Sequence, residues 1–264
     1  MKYSILFIIF LHTAVIAQIS PGPRSLAMGS AGVVLKDVWS LQHNPAGIAG
    51  IHRPIFAVGY ERHFSDKDLS TQKAVIAIPF KQHVFGLSFQ RYGFNEYSEQ
   101  TAGVAYSRDF SGALSLSIAL KYLQLNIFQY GSANAISVDA GMQYRLNNRV
   151  WIGTYISNPS SNGYQKPSGS TIPVSLAFGV SFEFSDQVLV ISDVQKILNA
   201  GIDTKLGIEY KMINWFALRG GVSANPFKQY AGFGIHYHRF ALDMAISSHP
   251  NLAYSPNLAF SYEF

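Results

Sequence analysis

The stretch Thr171-Ile-Pro-Val-Ser-Leu-Ala-Phe-Gly-Val-Ser-Phe-Glu-Phe184 alternates with a period of two. Ile172, Val174, Leu176, Phe178, Val180, Phe182 and Phe184 fall on one face of an extended chain. Thr171, Ser175, Ala177, Gly179, Ser181 and Glu183 fall on the other. In a sandwich the apolar face would be core and the second would meet water. In a membrane barrel the apolar face meets lipid and the second lines the lumen. The alternation of one strand does not choose between these.

The pattern repeats outward from this stretch. Leu114, Leu116, Ile118, Leu120 and Tyr122 oppose Ser115, Ser117, Ala119 and Lys121, and Ile136, Val138, Ala140, Met142 and Tyr144 oppose Ser137, Asp139, Gly141, Gln143 and Arg145. Ile202, Leu206, Ile208, Tyr210 and Met212 oppose Asp203, Lys205, Gly207, Glu209 and Lys211. Short turn signals occur at Lys81-Gln82, Ser111-Gly112, Asn147-Asn148, Ser185-Asp186, Ile213-Asn214 and near His238. Between them lie connections near 62–70, 92–98, 128–132, 157–171, 193–199, 225–228 and 248–253. Six turns and seven loops join about fourteen strands, an even number that puts both barrel termini at the turn end.

Composition favours the membrane. Only 13% of the side chains are charged, against about 25% in an ordinary soluble domain, while 22 Gly, 15 Tyr and 19 Phe are present. No window of 18 consecutive apolar residues offers a transmembrane helix. In hydrocarbon an open sheet would leave two unpaired edges, so strands can cross only as a closed barrel. The start, with Lys2 before the apolar run Ile5–Leu11 and a cut near Ala17/Gln18, reads as a secretory signal over 1–17. The last strand carries Leu252, Tyr254, Pro256, Leu258, Phe260, Tyr262 and Phe264 on one stripe, and such a closing strand ending on phenylalanine resembles the C-terminal signal of outer-membrane barrels. Trp151 and Trp215, each just after a turn, with Tyr144, Tyr210, Tyr237 and Tyr262, are expected to form the periplasmic aromatic girdle. The chain has no cysteine, and its net charge of +5 is scattered, so disulfides and nucleic-acid binding are not indicated.

Residues 18–50 break the alternation. Gly29, Ser30, Ala31 and Gly32 let backbone approach backbone, and Asn44-Pro45 begins a turn. This segment is expected as a plug or hatch inside a barrel spanning 51–264. The stretch Arg24-Ser-Leu-Ala-Met-Gly-Ser-Ala-Gly32, followed by Asn44-Pro45-Ala46-Gly47-Ile48-Ala49, resembles the N-terminal signature of the PorV/PorQ family of Bacteroidota outer-membrane proteins. That family is related in architecture to the FadL long-chain fatty-acid transporters. The resemblance implies a fourteen-stranded barrel with an N-terminal hatch, and an accessory or carrier role in type IX protein secretion. The candidate hatch and gate residues are Arg24, Gly29, Gly32, Asn44, Pro45 and Ala46.

Chemistry is sparsely signalled. His236 and His238 share a strand face, with Asp243 and His249 following, but their spacing does not compel a metal site. A Gly-x-Ser-x-Gly elbow is absent. The acidic residues Asp139, Glu183, Asp203, Glu209 and Asp243 are expected to balance Lys121, Arg145, Lys205, Lys211 and Arg219 within the lumen. The sequence therefore implies a non-enzymatic protein without cofactor or metal. Its expected surroundings are outer-membrane lipids and lipopolysaccharide, and its expected partners are secretion-system proteins. The alternative is FadL-like transport of a hydrophobic small molecule, with a hydrophobic ligand or detergent meeting Leu123, Ile127 and Phe128 near an outer loop.

Overall fold

A computed structural model describes residues 21–165, 171–250 and 252–264. The signal segment expected over 1–17 lies outside the described residues. Fourteen strands form one closed antiparallel barrel, each paired with its sequence neighbours and the last with the first. They are β1 (Ile55–Arg62), β2 (Ser70–Phe80), β3 (His83–Gly93), β4 (Tyr97–Phe110), β5 (Leu114–Ile127), β6 (Gly131–Arg145) and β7 (Val150–Ser157). The second half comprises β8 (Ser175–Glu183), β9 (Val188–Ile197), β10 (Ile202–Ile213), β11 (Phe216–Ala224), β12 (Phe227–Tyr237), β13 (Phe240–Ser248) and β14 (Tyr254–Glu263).

Closure is made by β1 against β14, in a register running from Ile55↔Glu263 to Glu61↔Asn257. The Phe264 amide then donates to Pro54 O at 2.9 Å, fixing both ends of the barrel at the turn rim. Pro256 lies one residue past the last β1–β14 pair, where a missing N–H costs that ladder nothing.

The outward face is the apolar stripe read from sequence. Val104, Ile118, Leu120, Leu176, Phe178, Leu206, Ile208 and Leu258 are all about half exposed and form a continuous band around the wall. A band of this extent is far larger than a soluble monomer tolerates, and it matches a hydrocarbon layer. Among the described residues no helix is long and apolar enough to cross a membrane.

Three sequence expectations need correction. The deciding strand begins at Ser175 rather than Thr171, because Ile172 turns inward and packs on Leu123 and Ala135 instead of joining Leu176 on the lipid face. Pro173, which has no N–H for the ladder, lies between them. Residues 193–197 belong to β9, and its loop starts only at Leu198. Trp151 also departs from the girdle: it lies on the inward parity of β7, with Lys36 Nζ 2.9 Å from its ring centroid. Trp215, Tyr144, Tyr210 and Tyr237 remain exposed on the outer face near the turn rim.

The inside is occupied by residues 21–50. A short helix α1 (Pro23–Ala27) packs on β11–β14, and 3-10 turns at Val38–Gln42 and Pro45–Gly50 pack on β1–β3 and on β3–β6 respectively. The segment fits because the wall facing it is built of small residues. A Cβ placed at Gly207 or Gly221 would overlap the Met28–Gly29 backbone, and one at Gly232 would strike Ala27. Similarly, Gly141 is filled by Asn44, Gly86 by Leu41 and Gly179 by Val33. Ala57, Ala77, Ala105, Ala119, Ala245 and Ala259 continue this belt, each buried. Gly29 itself has φ +75°, a conformation that favours glycine, and presses on Val222 O and Leu206 O.

Gly207→Val is expected to unseat the inner segment while leaving the wall closed. Limited proteolysis should then cut within residues 21–50, whereas the folded barrel should keep its heat-modifiable migration on gels. Unchanged protease resistance would show that the belt does not hold the segment.

Candidate functional site

The inner segment is tied to the wall at four places. Arg24 makes a two-pronged contact with Glu209 of β10, Nε–Oε2 at 2.9 Å and Nη2–Oε1 at 2.8 Å, and reaches Asp37 at 3.3 Å. Glu209 is shared with Arg219 of β11 at 2.7 Å, and Arg219 continues to Asp243 of β13 at 2.5 Å. Charge is thereby balanced across three strands, in a setting where an unpaired charge would be costly. Within the inner segment, burial pushes the Asp37 carboxyl up, and the Arg24 guanidinium pulls it back.

The second tie is Asp193 of β9, whose Oδ2 accepts from the Gly32 amide at 2.6 Å and the Val33 amide at 3.0 Å. In the third, Gln143 of β6 donates through Nε2 to Val33 O and Leu35 O at 2.9 and 3.0 Å. These bonds satisfy backbone groups of an irregular segment that has no ladder of its own.

Asn44-Pro45-Ala46 makes the fourth. Asn44 Oδ1 accepts from the Ala46 amide at 3.2 Å, capping the 3-10 turn that Pro45 opens. Its Nδ2 donates to Val33 O at 2.6 Å, with the wall carbonyls of Met142 and Thr154 as further acceptors at 3.3 and 3.4 Å. Ala46 is fully buried, so a larger side chain there has no room.

Cavities lie on both sides of this hatch. Toward the loops, a space of about 260 Å³ is floored by hatch residues and bounded by Asp193, Lys205 and Tyr230. A second of about 230 Å³ has an apolar side formed by Leu123, Ile172, Pro173 and Ile197. Toward the turns, spaces of about 890 and 640 Å³ share Arg24 and His236. The lumen is thus neither an open pore nor a packed core.

The six candidate hatch residues sit in this one plug. Leu123 is buried and lines the smaller loop-side cavity, while Phe128 is 66% exposed in the β5–β6 loop and Ile127 is half-buried beside it, so these three do not form one site. Lumen pairing holds for Lys121–Asp139 at 2.6 Å and for the Arg219 cluster, but Glu183 has no ion pair among the described residues. His236 lies 3.7 Å from Asp243, and no group of three or more metal-ligating residues converges among the described residues.

Sequence reasoning missed Asp193, Gln143 and His43. Asp193 and Gln143 do lie on inward parity. In β9, however, Leu189 and Ile191 share the inward face with Asp193, while Ser192 and Lys196 face outward, which blurred the alternation and made residues 193–199 look like loop.

No family model and no curated protein sequence matches the chain. Solved structures do. The toluene transporter TbuX of Ralstonia pickettii is similar with a TM-score of 0.71 at 12% identity, covering 93% of this chain and 99% of its own. The toluene transporter TodX of Pseudomonas putida gives 0.71 at 13% identity, covering 95% and 99%. A FadL homologue of Pseudomonas aeruginosa gives 0.65 at 11% identity, covering 92% and 98%. The chain therefore shares its fold with these transporters. This likeness does not extend the PorV/PorQ resemblance beyond the N-terminal stretch that carries it.

Arg24→Ala is expected to loosen the hatch by about 3 kcal/mol, the lower end for breaking a buried ion pair, since Glu209 keeps Arg219. Amide exchange in residues 21–50 should rise while strand amides stay protected. Equal exchange in both proteins would show that the pair does not anchor the hatch.

His43 gives a pH dependence. Burial foremost, with Lys205 and Lys121, holds its imidazole pKa down at about 3 against an ordinary 6.5. The unfolded segment therefore binds the proton first. Stability from neutral His43 is complete above about pH 6.5 and is lost progressively as pH falls from there toward 3. His43→Phe should flatten this part of the pH profile of hatch exchange; an unchanged profile would assign the dependence to other groups.

Proposed function

We propose that the protein carries a hydrophobic small molecule across the outer membrane, with the turns and both barrel termini facing the periplasm. The observation that carries this reading is a lumen closed by a bonded hatch, with a cavity on its loop side that shares Tyr155 and Gln195 with a second cavity of apolar side. A scaffold needs no such cavity, and a diffusion pore needs no hatch. Toluene transport by TbuX and TodX, proteins of the same fold, supports the reading.

In this reading Ile127 and Phe128 meet the molecule at the loop rim and Leu123 receives it within. Arg24, Gly29, Gly32, Asn44, Pro45 and Ala46 keep the hatch seated between passages. An accessory role in type IX secretion rests on the N-terminal resemblance alone. It has no support from the neighbouring folds, and several connections at the loop rim are short, such as Phe128–Tyr130 and Asn225–Pro226.

Radiolabelled toluene uptake by proteoliposomes tests the proposal. Uptake should exceed that of empty liposomes, and Leu123→Asp should reduce it several-fold by placing a charge in the apolar pocket. Uptake no faster than in empty liposomes would sink the transport reading. Recovery of secretion components with the protein from native membranes, together with loss of surface cargo on its deletion, would favour the secretion reading instead.

A further inference from the structure

Of the two loop-side cavities, the one with an apolar side measures about 230 Å³, larger than the cavity of roughly 150 Å³ that takes up benzene. It falls below the roughly 300–1,000 Å³ of sites for drug-sized ligands. Its size suits a ring with a short chain.

Most polar groups lining this pocket are engaged with the wall itself. Lys121 Nζ meets Asp139 Oδ2 at 2.6 Å, so its charge is balanced in place. Ser137 and Ser157 donate through Oγ to Asp139 at 3.1 and 2.8 Å. Ser175 Oγ accepts from Gln195 Nε2 at 2.8 Å, and Gln195 Oε1 accepts from Lys205 Nζ at 2.7 Å. Glu99 of β4 stands apart. Its side chain lines the pocket, yet it forms no ion pair among the described residues. Oε1 accepts from Tyr97 Oη, and Oε2 accepts from no group among the described residues. Unlike the nitrogens of Gln42 and His43, Oε2 is not sealed within the protein, and the space beside it is the pocket. A carboxylate on an apolar wall is costly without a counter-charge, and here the protein supplies none.

We propose that this pocket binds a compact apolar amine in its ammonium form. Its apolar body lies against Leu123, Ile172 and Ile197, and its nitrogen donates to Glu99 Oε2. The Thr101 hydroxyl, on the same inward face two residues along β4, is a further acceptor for the ammonium. An ammonium brings both the counter-charge and three donors, a hydroxyl brings one donor and no charge, and a carboxylate brings neither. The inference rests on the transport reading and adds a substrate class to it. Glu99 becomes the specificity-determining residue.

Calorimetric titration of the full-length protein in nanodiscs of zwitterionic lipid, with empty nanodiscs as reference, tests it with three probes on one skeleton: 2-phenylethylamine, 2-phenylethanol and 3-phenylpropanoate. At pH 7 the amine should bind about 10-fold more tightly than the alcohol, the margin of a hydrogen bond to a charged group over a neutral one. The carboxylate should bind more weakly than the alcohol. Glu99→Gln, which keeps the volume and removes the charge, should abolish the amine's advantage, and the wild-type series stands even where the variant fails to fold. Equal binding of amine and alcohol by the wild type would overturn ammonium recognition while leaving transport intact. Tightest binding of 3-phenylpropanoate would overturn it in favour of an anion site. An advantage that survives in a folded Glu99→Gln protein would overturn the role of Glu99. Binding of none of the three would overturn the site, and the toluene uptake assay then separates that failure from failure of the transport reading.

Discussion

A backbone amide in hydrocarbon has no water to turn to, and the architecture follows from that constraint. Every wall strand is paired on both sides, and the ladder between Ile55 and Glu263 closes the ring. Closure with fourteen strands makes a lumen too wide for wall side chains alone to fill. The chain fills it with its own N-terminal segment, whose irregular backbone then needs partners of its own. Asp193, Gln143 and Asn44 supply them.

The same constraint explains the belt of glycine and alanine. Glycine weakens a strand, since its backbone loses more conformational freedom on pairing and it has no side chain to pack. Here it recurs on inward positions of several strands because Met28, Val33, Leu41 and Asn44 take up the missing side-chain volume. Packing across the lumen compensates for packing lost within the sheet. The arrangement also leaves the hatch attached through a few discrete bonds rather than a continuous core, with cavities on either side.

Charge is distributed to match. Arg24, Glu209, Arg219 and Asp243 form a chain of contacts reaching from the hatch across β10, β11 and β13. Lys121, Asp139 and Tyr155 form another beside the apolar pocket, with Tyr155 Oη donating to Asp139 at 2.5 Å. Both networks face inward, so the outer surface is left to lipid. Within the inner segment, by contrast, Gln42 Nε2 and both ring nitrogens of His43 are buried with no hydrogen-bond partner among the described residues.

The amino-acid sequence by itself determined the barrel: period-two alternation, few charges, turn signals near Lys81 and Asn147, and an even strand count each follow from local chemistry, and they agree with the closed fourteen-stranded wall. It also marked residues 18–50 as non-strand, because Gly29-Ser-Ala-Gly32 and Asn44-Pro45 cannot sustain alternation. Local pattern misled where a residue's facing depends on distant partners. Ile172 looks like one more lipid-facing residue until Leu123 and Ala135 draw it inward. Asp193 looks like loop until it meets the Gly32 amide 161 residues away in sequence. The cavities and the ion-pair chain through Arg24 arise only when the hatch lies inside the closed ring. They are contacts between segments far apart in the chain, and no periodicity within either segment records them.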